Sequence, residues 1–147
     1  IRGMAGSDEE AMDFGLKGMD AAFHQIKKSI DAQEELKKGI EFETQWGKAI
    51  AVETGNDSVL WEGEKTGFCL VIRKDSETGG VRIYSRYDTK VDLTNAYNKL
   101  KKMDSKADWF LHSSKNLLLN MATSKKMRPT KLSLKQIIEI ISKAFTS

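Results

Sequence analysis

Few side chains in this chain are suited to covalent or metal chemistry. There is one cysteine, Cys69, and there are two histidines, His24 and His112. A structural or catalytic metal needs several His, Cys, Asp or Glu ligands at close spacing, whereas these three fall on separate segments. Cys69 sits inside the apolar run Phe68-Cys69-Leu70-Val71-Ile72, which suits a buried core thiol better than a nucleophile with a base beside it. A lone cysteine also excludes an intramolecular disulfide, so the fold does not depend on an oxidising compartment. Glu41, Glu43, Glu53, Glu62 and Glu64, followed by Arg73 and Lys74, could in principle line a nuclease-like metal centre. They alternate with apolar residues as solvated positions of half-buried strands do, and that reading takes precedence. No serine lies in a Gly-x-Ser-x-Gly elbow, and Gly79-Gly80 precedes a strand-like run, where it offers no helix N-terminus to a phosphate. The expectation is a non-enzymatic chain with no catalytic residue, no metal and no cofactor.

Binding chemistry is better represented. Residues 1–80 carry 10 Lys and Arg against 16 Asp and Glu, a balance of −6, while residues 81–147 carry 14 against 5, a balance of +9. A mild overall charge of +3 therefore conceals a polar molecule, of the kind whose basic half meets a polyanion or an acidic protein surface. Within the basic half, Val81, Ile83, Ser85 and Tyr87 alternate with Arg82, Tyr84 and Arg86. If the first set faces a core, an Arg-Tyr-Arg row faces outward and combines phosphate contact with a stacking surface, as sheets that hold single-stranded RNA do. Lys101 and Lys102 lie between Lys99 and Lys106, and Lys125, Lys126, Arg128 and Lys131 form a run around Pro129 with no acid among them. Gathered on one face, these would add salt-sensitive, sequence-independent phosphate contacts. The chain accordingly reads as a nucleic-acid-binding module, for RNA rather than DNA, within a larger nucleoprotein assembly. The competing reading is a homo-oligomerising protein-interaction domain. Its seam would be Leu16, Met19, Phe23, Ile26 and Ile30, whose alternating steps of three and four are those of a short coiled coil.

The same spacing predicts a long helix over residues 8–38. Asp8, Glu9, Glu10 and Asp13 crowd its start, Lys37 and Lys38 its end, and Gly39 follows as a C-cap. Four β-rich runs follow, at Lys48–Glu53, Ser58–Glu62, Gly67–Lys74 and Val81–Tyr87. Their short connections predict an antiparallel meander. Asp92 is placed to cap a helix Leu93–Met103. Residues Lys106–Thr123 suit a helix, with two strands around Ser113–Asn116 as the alternative, and Ser133 caps a final helix striped with Leu134, Ile137, Ile138, Ile141 and Phe145. The expected class is α+β: a long N-terminal helix, a meander of about four strands, and two or three C-terminal helices. Residues 1–7 resemble an expression-tag remnant, and residues 8–147 fit one domain. No apolar run approaches the ~20 residues that span a bilayer, so the expected setting is cytoplasmic or nuclear, with no membrane partner.

Overall fold

The computed structural model describes residues 22–86, 90–120 and 128–143. It contains helix α1 (22–37), strands β1 (Ile40–Thr44) and β2 (Gly47–Glu53), helix α2 (Val59–Thr66), strands β3 (Leu70–Lys74) and β4 (Val81–Ser85), helix α3 (Thr94–Met103), strands β5 (Trp109–Leu111) and β6 (Leu117–Asn120), and helix α4 (Leu134–Lys143). The six strands form one mixed sheet in the order β1-β2-β3-β4-β6-β5. All neighbours are antiparallel except β2 and β3, which run parallel. Four helices with a six-stranded mixed sheet make the fold α+β.

The parallel pair overturns the expected four-strand meander, and α2 is the reason. Val59-Leu60-Trp61-Glu62 was expected as a strand, but Val59, Leu60, Glu62 and Gly63 are buried together, the spacing of one helical face. Gly67, at φ 105°, closes the helix: its own N–H donates to Glu64 O, and Phe68 N donates to Gly63 O. With α2 in place, the two short connections become a single crossover long enough to return the chain parallel to β2. Gly63 is what allows α2 to lie so close to the sheet, since a Cβ there would stand 2.6 Å from Val71 Cγ2.

Two further expectations are corrected. In the segment Lys106–Thr123 the described residues, up to Asn120, follow the two-strand alternative rather than the helix: β5 and β6 pair antiparallel around the His112–Asn116 turn, and β6 adds itself to β4 through Val81↔Asn120 and Ile83↔Leu118. The apolar residues of this segment alternate across a sheet rather than lining one helical face, with Trp109 and Leu118 buried on the side opposite Phe110 and Leu119. The strand β1, absent from the expected set, is an edge strand whose burial never rises above intermediate, so its apolar alternation is weak. Of the helix expected over 8–38, the described part runs from 22 to 37; the remainder lies outside the described residues.

The sheet separates two apolar layers. On one face Ala49, Ala51, Leu70, Ile72, Val81, Ile83, Trp109 and Leu118 pack with Leu93, Ala96 and Leu100 of the α3 segment and with Ile137 and Ile141 of α4. On the other, Ile50, Val52 and Val71 pack under Ala32 and Leu36 of α1 and Val59 and Leu60 of α2. Helix ends follow local chemistry. The Asp92 carboxylate accepts from Thr94 N at 2.9 Å, and Ser133 and Gln136 form a reciprocal capping box, with Gln136 N donating to Ser133 Oγ and Ser133 N to Gln136 Oε1. No described helix is long and apolar enough to cross a membrane.

Candidate nucleic-acid interface

Strand β4 divides the sheet face that carries α1 and α2. Val81, Ile83 and Ser85 point into the α3/α4 layer and are buried, leaving Arg82 and Tyr84 on the opposite face. On that face, among the described residues, the helices reach only to β4. The apolar cluster of α1 and α2 ends at Val71, with Tyr84 packed against its edge, and no residue of β6 or β5 joins it. Beyond β4, the same face presents Leu117 and Leu119 of β6 and Phe110 of β5. The register sets Arg82 beside Leu119 and Leu119 beside Phe110, while Tyr84 lies beside Leu117. With neighbouring strands about 4.8 Å apart, this is a continuous strip roughly two strand spacings wide.

Aromatic rings border the strip on both sides. Trp61 of α2, 56% exposed, meets the Tyr84 ring edge-on at a centroid separation of 5.4 Å and an interplanar angle of 65°. On the far side Phe110 is 50% exposed on the sheet's edge strand. Glu64 of α2 fixes the upper end: the Tyr84 hydroxyl donates to its Oε2 at 3.0 Å, and Arg86 Nε stands 3.8 Å from its Oε1. Arg82 makes no ion pair among the described residues. Its cross-strand neighbour Arg73 is occupied with the fold, donating from Nε to Thr54 O at 3.2 Å and from Nη2 to Gly55 O at 3.0 Å beside Asp75. The expected Arg82, Tyr84 and Arg86 row thus shares one surface, with Tyr84 half-covered by the margin of α2.

The remaining basic residues do not join that row. Lys101 sits 5.1 Å over the Tyr97 ring, and Tyr97 packs into the α3/α4 layer on the other side of the sheet. Lys102 lines a groove of about 450 Å³ between α3 and α4 with Lys99, Met103, Gln136, Glu139 and Ile140. Arg128 and Lys131 line a second cleft of about 280 Å³ with Asp104, Lys106, Pro129 and Thr130. Lys125 and Lys126 lie outside the described residues.

The segment carrying Arg128 and Lys131 is held by acids and an amide, and by Leu132 buried in the α3/α4 layer. Asn120 Nδ2 donates to Asp108 O and Arg128 O, its Oδ1 accepts from Thr130 N, and Arg128 N donates to Asp108 Oδ2. The Asp104 carboxylate accepts from the Thr130 hydroxyl at 2.6 Å and from Lys131 N at 2.9 Å. Burial raises the Asp104 pKa, but these hydrogen bonds and the Lys131 charge outweigh it and hold the carboxyl below its ordinary value.

Among the described residues, no three His, Cys, Asp or Glu side chains converge to hold a metal. Burial pushes the half-buried Cys69 thiol up, and His112 Nδ1 lies 2.7 Å from Ser114 Oγ in the exposed β5–β6 turn. Of the expected oligomer seam, Phe23, Ile26 and Ile30 are 65%, 57% and 53% exposed, whereas α1 contacts the body through Ala32 and Leu36. Leu16 and Met19 lie outside the described residues. The sequence reading did not bring Trp61, Glu64 and Phe110 to this surface, because Val59–Thr66 reads there as strand and turn and the segment of Phe110 as helix or strand, and facing cannot be inferred until the period is fixed. No protein-family model matches the chain, and comparison with curated proteins gives no significant match.

Proposed function

We propose that this chain is a non-enzymatic module that binds single-stranded RNA on the part of the sheet beyond β4 that no described helix covers. The observation that supports it is the strip bounded by Trp61 and Tyr84 on one side and Phe110 on the other, with Arg82 and Arg86 on the same surface. Exposed rings give unpaired bases a stacking platform, and arginine supplies phosphate contacts, a combination that tolerates sequence and is sensitive to salt. β5 is the edge of the sheet, and Asp108, just before it, pairs with Arg128 at 3.6 Å. A strand leaving Phe110 can therefore turn round that edge to Lys106, Arg128 and Lys131, which serve as sequence-independent phosphate contacts from the other side.

The test is fluorescence anisotropy of a labelled ten-nucleotide single-stranded RNA titrated with the full chain at several salt concentrations. Phe110→Ala removes one stacking ring at an exposed edge and should weaken binding about tenfold, within the ~1–3 kcal/mol expected per stacked base. Arg82→Ala should reduce the salt slope by about one. Both variants binding as tightly as the parent, with unchanged salt slopes, would refute the assignment.

A further inference from the structure

Independently of RNA binding, the far edge of the sheet carries its own inference. β5, at one edge, is three residues long, and its entry is occupied by the segment that returns to it, with Asp108 N donating to Arg128 O. β1, at the other edge, is five residues long, and among the described residues β2 is the one strand paired with it. The ladder shows which of its backbone groups are open. Cys69 N donates to Lys48 O and Thr54 N to Lys74 O, so alternate residues of β2 face β3, while Ala49 and Ala51 between them face β1. Their partners Phe42 and Ile40 take up those bonds. The N–H and C=O groups of Glu41 and Glu43 are thereby directed away from the sheet, where a further strand would find them.

The side chains at this edge define what such a strand must carry. Glu41 and Glu43 are exposed on the face that bears α1 and α2, and neither carboxylate forms an ion pair with a described residue. Of the cations nearby, Lys37 pairs with Glu34 at 3.0 Å, and Lys48 stands across from Glu43 on its inner side. Inboard of Glu41 the same face opens into a cleft of about 330 Å³, floored by the buried Leu36, Ile50 and Phe68 and rimmed by Gln33, Lys37, Glu41 and Thr66. On the opposite face Ile40 remains 39% exposed beside the half-buried Phe42.

A second copy of this edge is a poor occupant. Every antiparallel register that pairs its outward residues sets carboxylate against carboxylate, which opposes self-association. A strand with basic side chains meets the same carboxylates favourably, and backbone pairing combined with a side-chain pocket is an established way of holding an extended peptide. We propose that the outer edge of β1 receives an extended basic segment of a partner protein, antiparallel to β1, with a cation opposite Glu43 and a large apolar side chain crossing Glu41 into the cleft.

The probe is the capped peptide Thr-Arg-Val-Phe-Val-Arg-Thr, titrated into the isotope-labelled full chain and followed by backbone amide resonances. Binding should shift the Glu41 and Glu43 amides and slow their exchange with solvent, since both become ladder donors. Replacing Phe by Ala in the peptide should weaken binding about tenfold, the size expected for one buried aromatic side chain. N-methylation of the first Arg and the Phe should abolish binding, whereas N-methylation of both Val residues should be tolerated, because their amides point away from β1. Glu41→Lys combined with Glu43→Lys, with circular dichroism confirming the fold, should reverse the preference in favour of a peptide carrying Glu in place of Arg. No shift at Glu41 and Glu43 with about 1 mM peptide, equal tolerance of the two N-methylated peptides, or no response to the charge reversal would overturn the proposal. So would shifts at these amides on concentrating the protein alone, which would make a second copy the occupant, or on adding the single-stranded RNA, which would put nucleic acid there.

Discussion

Replacing Gly63 with alanine tests whether the approach of α2 to the sheet is set by packing or by helix propensity. By propensity alone, Gly63→Ala should stabilise α2 by about 1 kcal/mol. The structure opposes this, because the new Cβ would lie 2.6 Å from Val71 Cγ2, well inside contact distance, and Val71 is buried at 1% exposure. A β-branched side chain in a strand has little rotamer freedom, so α2 must move away from β3 instead. Overpacking of this kind costs about 1–3 kcal/mol, which leaves a net destabilisation on the order of 1 kcal/mol after the propensity gain. Moving α2 also carries Trp61 and Glu64 away from Tyr84, linking the packing of one glycine to the geometry of the aromatic strip. Urea denaturation followed by circular dichroism would measure the stability change. The same substitution made in Val71→Ala should be neutral or favourable, giving a coupling above about 1 kcal/mol in a double-mutant cycle. Stabilisation by Gly63→Ala in the parent, or no coupling with Val71→Ala, would refute the packing argument.

Two further outcomes are expected. Glu62 is buried between α1 and α2, and its carboxyl is held below the ordinary value mainly by the Gln33 hydrogen bond, against burial and with help from Ser29 and Lys65. A carboxyl depressed in the folded state contributes stability above its unfolded pKa of about 4.5 and loses it as pH falls through the lower folded value, so acid titration of stability should be shallower in Glu62→Gln below about pH 4.5. Asn120→Ala removes the amide that joins Asp108 O, Arg128 O and Thr130 N; leaving these groups unpaired should cost about 2–3 kcal/mol, with amide exchange at Thr130 accelerating.

Elements were legible in the sequence wherever one local signal was sufficient. The run Val81–Ser85 alternates cleanly because one face is buried and the other is not. The Ser133–Gln136 box of α4 acts within three residues, so reading it requires no knowledge of the rest of the chain, and Asp92, expected as the cap of α3, instead accepts from Thr94 N one residue before the actual N-cap, Leu93. Val59–Thr66 was misread, and Trp109–Asn120 suits a helix as well as the two strands it forms, because a short apolar run fits either period and the neighbour it packs against makes the choice. For Val59–Thr66 that neighbour is Val71, which accepts a helix only because Gly63 has no side chain. For Leu117–Asn120 it is β4, whose free edge accepts another strand.

The candidate surface divides in the same way. Residue order alone determined that the charge is segregated along the chain and that Arg82 and Tyr84 share a strand face, because the first needs only the order and the second a period of two. Tertiary structure decided that Trp61 and Phe110 border that row and that Lys101, Lys102, Arg128 and Lys131 lie across the sheet from it. Strand order and helix placement follow from long-range burial, and no local spacing encodes which face of a sheet a distant helix will cover.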